Sequence, residues 1–370
     1  MRQNYRKILT LEDCLELFET HRDKHIKRTA FQGITIPQEA LNYTFRGCLF
    51  IACKMPHGLK CKLADSLVFP NMGELFTFRS TLYTADDLYD NYQAGQPESM
   101  KSCYDQRVYK HYLEFGKRST DIKETLARTL HDHSISSALH EFLSAYKETD
   151  VVGVMGGHAI ARNDPRFATV ASMAKALTER GKLMISGGGP GAMEATHLGA
   201  WMAGRSDTEL QEALSLLSEA AEFTDPLWLE AALKVRGRFP QNTYYSVGIP
   251  TWLYGHEPAT PLATHIAKYF DNSIREDGIL TLAMGGIVFT PGSAGTMQEI
   301  FQEAVQNHYL SFGYSSPMIF LGTDYWTREM PVYPLIQDLV ERGKYKNLIL
   351  DITDDNDKIV DDLVRWTPSI

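Results

Sequence analysis

Two glycine-rich turns carry the clearest chemical signal in this sequence. The first, residues 186–191, reads SGGGPG, and the second, residues 290–296, reads TPGSAGT. Each turn follows an apolar run and precedes a helical pattern. It therefore places unpaired backbone N–H groups at the positive end of a helix, where a phosphate is readily bound. Two such turns predict a site for a nucleotide-sized anion, held by Gly187, Gly188, Gly189, Gly191, Gly292, Ser293, Ala294, Gly295 and Thr296.

The turns are positioned by strands that alternate with helices from about residue 151 onward. Short apolar runs end near residues 155, 185, 248, 289, 321 and 350, and apolar residues at helical spacing separate them. Parallel strands need crossover connections, so this alternation predicts an α/β fold with a parallel sheet covered by helices on both faces. Ligands bind such sheets at the carboxyl ends of the strands, and both turns fall there.

Length and composition favour a two-domain protein of ordinary globular type. The chain has 370 residues, 44% of them hydrophobic and 22% charged, whereas single cores rarely grow beyond roughly 250 to 300 residues. A net charge of -9 argues against binding to a nucleic acid polymer, which requires a basic face. The five cysteines lie in the first third of the chain without zinc-site spacing, and no segment reads as a signal peptide or membrane span. We therefore expect reduced thiols, a cytoplasmic location and no membrane association.

The first 147 residues are predicted to form a separate α+β domain of unknown role, and residues 148–370 a nucleotide-binding domain. Residues 49–52 and 66–70 resemble short strands, residues 121–146 resemble a long helix, and no internal repeat stands out. His131 and His133 flank Asp132, but histidines two apart on a helix point in different directions. We interpret them as part of a solvated helix face, and no metal site is predicted.

Further motifs give the chain a family resemblance. Gly156-Gly157-His158 follows the first strand of the second domain, residues 189–194 read GPGAME, and residues 257–261 read EPATP. With the two glycine turns, these segments resemble the Lonely Guy (LOG) family of nucleoside 5'-monophosphate phosphoribohydrolases, long mislabelled as lysine decarboxylases. The chain is most similar to the bacterial pyrimidine/purine nucleotide 5'-monophosphate nucleosidase branch. The resemblance covers roughly residues 151–321.

The resemblance implies a Rossmann-like doubly wound sheet, a homodimer or higher homo-oligomer, and an enzyme that needs no cofactor. The implied reaction hydrolyses the N-glycosidic bond of a nucleoside 5'-monophosphate to free base and ribose 5-phosphate. Such cleavage builds positive charge on the ribose, so a carboxylate is required nearby. Glu299 and Arg275 match the family's catalytic glutamate and arginine. Glu194, Gly157 and His158 are expected to contact the nucleotide.

Each of these side chains also has a purely structural interpretation. Thr296 and Glu299 fit a capping box, in which Glu299 only closes the start of a helix. In the functional interpretation, we expect the helix dipole at this position to keep the Glu299 carboxylate ionised. Arg275 fits an exposed helical arginine paired with a neighbouring acid. Glu194 fits an acid at a helix start, and His158 a histidine of a local turn.

Two departures from the family pattern motivate an alternative function. Ser293 replaces the family's second glycine after Pro291, and the segment between Arg275 and Pro291 is one residue longer. A nucleotide-binding sensor without turnover is therefore a second hypothesis. A lysine decarboxylase is disfavoured, because neither glycine turn carries a lysine for pyridoxal phosphate.

Overall fold

The computed structural model describes residues 5–76 and 78–368. The strands are β1 (Arg6–Ile8), β2 (His25–Lys27), β3 (Thr29–Gln32), β4 (Thr44–Arg46), β5 (Leu49–Ile51), β6 (Leu63–Ala64), β7 (Leu67–Phe69), β8 (Val151–Met155), β9 (Leu183–Ser186), β10 (Ser246–Gly248), β11 (His265–Ile266), β12 (Ile287–Phe289), β13 (Pro317–Leu321) and β14 (Ile349–Thr353).

The α-helices are α1 (Leu11–Thr20), α2 (Ala85–Leu88), α3 (Tyr104–Glu114), α4 (Ile122–Leu143), α5 (Pro165–Glu179), α6 (Ala192–Trp201), α7 (Asp207–Ser218), α8 (Trp228–Arg238), α9 (Asn272–Leu282), α10 (Ala294–Tyr309), α11 (Val332–Glu341) and α12 (Asn356–Arg365). Short 3-10 helices cover Gln38–Asn42, Leu59–Lys62, Glu74–Phe76, Pro97–Ser102, Glu148–Asp150 and Trp252–Tyr254, and a π-helix covers Tyr325–Glu329. Within the described residues, none of the helices has both the length and the apolar character needed to cross a bilayer.

The chain divides into two compact units. The first comprises the residues up to Leu82 together with Leu113–Phe142, and the second comprises Tyr83–Tyr112 and the residues from Leu143 onward. Residues 83–112, which the sequence prediction grouped with the N-terminal domain, thus belong to the same unit as the glycine turns.

The first unit contains a small parallel coil of strands. One sheet has the order β1-β3-β5-β7 and the other the order β2-β4-β6, so each turn of the coil adds one strand to each sheet. Ala30 pairs with Leu49 and Leu49 with Leu67, so the coil repeats roughly every 19 residues. The expectation that the first unit has no internal repeat is therefore wrong at the level of structure.

The coil has repeated corners and an apolar core. Arg28, Gly47 and Asp65 lie at equivalent corners between the two sheets, and all three have positive φ angles, of 49°, 58° and 51°. Inside the coil, the fully buried rings of Phe31 and Phe50 stack with their centroids 4.9 Å apart. The apolar side chains Ile8, Phe31 and Phe50, which are paired across successive turns, therefore share one core.

The second unit is built on a seven-stranded sheet of order β11-β10-β9-β8-β12-β13-β14, in which every pair is parallel. On β8, Val152 and Val154 pack into the core that α5 and α6 cover. The intervening Gly153 faces Ala283, directly after α9, so helices cover both faces. The predicted α/β fold with a Rossmann-like parallel sheet is confirmed.

The strand order places the switch point of the sheet at β8. The chain leaves β8 through α5 to β9 on one side, and it later crosses to β12 on the other side. Crevices that bind ligands form where the strand order reverses, at the carboxyl ends of the strands. Because β9 and β12 both flank β8, the two glycine turns lie at the same edge of the sheet.

Candidate functional site

A cleft of about 220 Å³ opens at this switch point. It is lined by the end of β8, by the first glycine of the turn after β9, and by the start of α10, with further side chains from α9 and from the loop after β10. The lining residues are Val154, Met155, Gly156, Gly157, His158, Gly187, Met193, Tyr254, Glu257, Arg275, Glu276, Ser293, Gly295, Thr296 and Glu299.

Gly157 joins the two glycine turns. Its N–H donates to the Pro291 carbonyl at 3.0 Å, and its own carbonyl accepts from Ala192 N–H at 3.1 Å. The preceding Gly156 cannot carry a side chain, because a Cβ there would overlap the Thr290 hydroxyl. The end of β8 thus fixes both turns in place.

Most of the first glycine turn packs against the protein instead of lining the cleft. Gly187 lines the cleft, but Gly188 N–H donates to Ser186 Oγ at 3.2 Å, and a Cβ on Gly188 would lie 2.9 Å from the Gly248 Cα. Gly191 has a φ of 69° and lies against the backbone of Gly157. The structure therefore does not bring Gly188, Gly189 or Gly191 into the lining of the cleft as the sequence predicted.

The second turn has the better geometry for an anion, because it opens a sixteen-residue helix whose N-terminus lies at the cleft. Ser293 is the N-cap of α10 but makes no side-chain capping hydrogen bond. The backbone N–H groups in the first helical turn of α10 are therefore available to a ligand. Ser293, Gly295 and Thr296 line the cleft, whereas Ala294 is exposed and is not part of its lining.

Arg275 lies in the first turns of α9 and packs over Gly187. Its Nε donates to the Ile249 carbonyl at 3.0 Å, and a Cβ on Gly187 would overlap its Nη2. The side chain is half-buried and tied to the backbone, so it is not simply an exposed helical arginine. The fixed guanidinium can offer its remaining N–H groups to a ligand in the cleft.

Glu299 also lines the cleft, but its local setting differs from the prediction. It lies in the second turn of α10, and no capping box forms with Thr296. Burial raises the pKa of its carboxyl to about 7, nearby Arg275 acts in the opposite direction, and the negative charge of Glu276 adds to the rise. Desolvation outweighs the expected effect of the helix dipole, so the carboxyl is not held fully ionised at neutral pH and the ionised form predominates only above about pH 7.

Two further acids in the cleft were not predicted as site residues. Glu257 approaches His158, with 3.6 Å between Oε1 and Nδ1, and Glu276 accepts a hydrogen bond from Gln298 Nε2 at 3.2 Å. Glu257 belongs to the EPATP segment and could have been found there. Glu276 directly follows Arg275 and is marked by no motif.

His158 separates the cleft from a second cavity of about 200 Å³. The two cavities share Gly157, His158 and Ser293, and the second one is also lined by Gly292, Arg166 and Tyr325. The His158 side chain is 46% exposed, so it is accessible to a ligand on either side. Gly292, which belongs to the second glycine turn, thus lines this second cavity and not the cleft.

Glu194 lies away from the cleft in a fully buried ion pair. Both of its carboxylate oxygens accept hydrogen bonds from Arg162, at 2.6 and 3.0 Å, and the guanidinium stacks 4.5 Å from the centroid of the Trp228 ring. The structure does not bring Glu194 to the predicted nucleotide site, because Arg162 occupies its carboxylate.

The buried side chain of His197 packs beneath the start of the first glycine turn, between Ser186 and Ser246. His197 Nε2 lies 2.8 Å from Ser186 Oγ, and His197 Nδ1 lies 2.9 Å from Ser246 Oγ. Burial lowers the pKa of His197 to about 3, so the ring is neutral at physiological pH. It links the ends of β9 and β10 and holds Ser186, which in turn accepts from Gly188.

Residues 83–112 hold the loop that carries Tyr254 and Glu257. Tyr89 donates its hydroxyl hydrogen to the Ala259 carbonyl at 2.5 Å. Asp105, fully buried, accepts from Trp252 Nε1 at 2.9 Å and pairs with the buried Lys268 at 2.6 Å. These contacts fix one wall of the cleft, a role that the sequence analysis did not assign to this segment.

Comparisons with known proteins add no identification. A scan against protein-family models found no match, and a search of curated proteins found none either. Among the described residues, no group of three or more His, Cys, Asp or Glu side chains is arranged to hold a metal ion.

Proposed function

We propose that this protein hydrolyses the N-glycosidic bond of a nucleoside 5'-monophosphate and releases free base and ribose 5-phosphate. One observation carries the proposal: a single cleft combines the uncapped N-terminus of α10 with the Arg275 guanidinium and the half-buried Glu299 carboxylate. An anion site beside a carboxylate of raised pKa is what cleavage of a phosphorylated glycoside requires.

The charges in the cleft support one orientation of the nucleotide. Glu257, Glu276 and Glu299 would repel a phosphate, whereas the start of α10 attracts it. The phosphate is therefore assigned to the N–H groups at residues 293–296. The ribose then lies next along α10, within reach of Glu299 and Arg275.

The residues present can perform a balanced hydrolysis. A water oxygen bonds to C1' while the C1'–N bond breaks, and the electron pair of that bond goes to the base nitrogen. The ionised Glu299 stabilises the positive charge on the ribose and accepts the proton that the water loses. That proton passes to the departing base. No metal or organic cofactor is needed for these steps.

A matched pair of variants on one helix tests the proposal. Glu303 lies one turn beyond Glu299 on α10, and burial likewise raises its pKa to about 7, but its carboxylate accepts from Ser316 and Asn307. Purified protein should release free base from at least one monophosphate in a panel of purine and pyrimidine nucleotides. Glu299→Gln should abolish release, and Glu303→Gln should retain it. Absence of release from every nucleotide by the wild-type protein contradicts the proposal.

Ser293 favours a second candidate function, that of a nucleotide sensor without turnover. Its exposed side chain stands at the boundary between the two cavities, where the implied family has glycine. Under this hypothesis, calorimetry detects tight nucleotide binding that Glu299→Gln leaves unchanged, while no base is released.

The proposal includes a cytoplasmic homodimer or higher homo-oligomer. The odd number of cysteines, five, without paired short spacing is the basis for a reducing compartment. Light scattering coupled to gel filtration measures the oligomeric state directly.

A further inference from the structure

Glu276 lines the cleft and is held there by a residue of α10. It follows Arg275 on α9, is half-buried, and shares the cleft with Glu299. Gln298 Nε2 donates to its Oε2 at 3.2 Å. In the part of the chain that the structure describes, its Oε1 has no hydrogen-bond partner. One carboxylate oxygen is thus fixed, and the other is open to a ligand.

The place of Gln298 on α10 determines which part of a nucleotide reaches Glu276. The phosphate is assigned to the N–H groups of residues 293–296, and Glu299 acts at the glycosidic bond. Gln298 lies between these two positions, which are one helical turn apart, about 5 Å along the axis. In a nucleoside 5'-monophosphate, the ribose is the only group that connects the phosphate to the glycosidic bond. The open oxygen of Glu276 therefore lies at the level of the sugar, whereas the base lies beyond the glycosidic bond.

The chemistry of a carboxylate selects the hydroxyl groups of that sugar. An ionised carboxylate accepts hydrogen bonds and has none to donate. The ring oxygen and the 5'-oxygen of a ribose 5-phosphate are acceptors as well, so only the 2'-hydroxyl and the 3'-hydroxyl can donate to Glu276. Both hydroxyls lie on one edge of the ring, which a ribonucleotide presents complete.

We propose that Glu276 binds the 2',3'-diol of the substrate ribose by accepting a hydrogen bond from it, which makes the site selective for ribonucleotides. This inference rests on the proposed function and names the class of sugar that the same site takes. A site built to hydrogen-bond a substrate hydroxyl rejects an analogue that lacks it, because the acceptor is then left unpaired. The hydrogen bond also strengthens as positive charge develops on the ribose, so its contribution should appear in kcat as well as in KM.

Deoxynucleotides of a single base test the inference. The assay measures kcat/KM for base release from the ribonucleotide that the wild-type protein cleaves fastest, and from its 2'-deoxy and 3'-deoxy analogues. Removal of a hydroxyl also changes the intrinsic reactivity of the glycosidic bond. The informative quantity is therefore the change in each ratio of ribonucleotide to deoxynucleotide between the wild-type protein and a variant.

Glu276→Ala removes the proposed acceptor. It should lower the ratio of kcat/KM for ribonucleotide over deoxynucleotide by roughly tenfold to a hundredfold for at least one of the two analogues. Ratios that stay unchanged for both analogues overturn the inference. Failure of the wild-type protein to release base from any nucleotide overturns the proposed function itself.

A neighbouring residue provides the matched control. Asp277 is the next residue on α9, and Gln302 Nε2 donates to its carboxylate just as Gln298 donates to Glu276, but Asp277 does not line the cleft. Asp277→Ala should leave both ratios unchanged, because it removes an equivalent contact between α9 and α10 away from the ligand. If both variants lower the ratios alike, the packing of the two helices sets the sugar preference, and the inference is wrong.

A contact to the base is the competing outcome. If Glu276→Ala leaves both sugar ratios intact and instead changes the ratio of kcat/KM for CMP and UMP, Glu276 contacts the base, and the inference fails. Alanine is a good helix former, so both variants should fold. Thermal melting confirms this before the ratios are compared.

Discussion

Replacing Gly187 by Ala tests whether the position of Arg275 controls catalysis. A Cβ at residue 187 would lie 2.6 Å from Met193 Sδ and closer still to Arg275 Nη2, whereas ordinary contact begins at 3.4 Å. Both neighbours are ends of flexible side chains, so the fold can accommodate the methyl group at small cost. The guanidinium must retreat by about 1 Å, and such a displacement of a positioning group lowers kcat/KM by roughly a hundredfold.

The assay compares this variant with Gly278→Ala on the same helix as Arg275. A Cβ at residue 278 meets no atom within 4 Å, so that variant should keep the wild-type kcat/KM. Steady-state release of free base gives kcat/KM, and chemical denaturation gives the free energy of unfolding. If Gly187→Ala is folded and its kcat/KM equals that of the wild type, the proposed role of Arg275 is refuted.

Three further outcomes are expected. Because burial raises the pKa of Glu299 to about 7 and the ionised form acts in the reaction, kcat/KM should rise as the pH increases through about 7; a pH-rate profile that is flat across neutral pH contradicts this. The native state binds the Glu303 proton more tightly than the unfolded chain does, since its pKa rises from 4.5 to about 7. Its stabilising contribution of about 3 kcal/mol is therefore complete below about pH 4.5 and is lost as the pH rises through about 7. Thermal melts should show that Glu303→Gln flattens this dependence. Arg162→Met leaves the buried Glu194 carboxylate unpaired and should lower the free energy of unfolding in urea by about 3–5 kcal/mol, whereas adding Glu194→Leu should recover most of the loss.

The place of the two glycine turns at one edge of the sheet could be predicted from the sequence because it depends on local patterns. Apolar runs followed by glycine turns and helices place residues 186–191 and 290–296 at strand ends, and a parallel sheet brings such ends to one edge. The roles of single residues depend on packing between distant segments. Glu194 was predicted to face the nucleotide, but Arg162 and Trp228, which come from other segments of the chain, enclose it.

Two other features could not be predicted from the sequence: the raised pKa of Glu299 and the coil of the first unit. Helix position alone suggested an ionised carboxylate, whereas burial by the surrounding elements raises the pKa. The coil escaped notice because its equivalent corners carry Arg28, Gly47 and Asp65, which share a backbone conformation and no side-chain chemistry. A repeat of backbone geometry leaves little trace in residue identity.

The parallel coil also restricts how the first unit can change in length during evolution. The strands of each turn pair with the strands of the turns before and after it, so gain or loss of one complete turn preserves the apolar core that includes Phe31 and Phe50. Loss of a few residues within a turn would instead rotate the following strands and point polar side chains inward. The first units of related chains should therefore differ in length by whole turns of the coil.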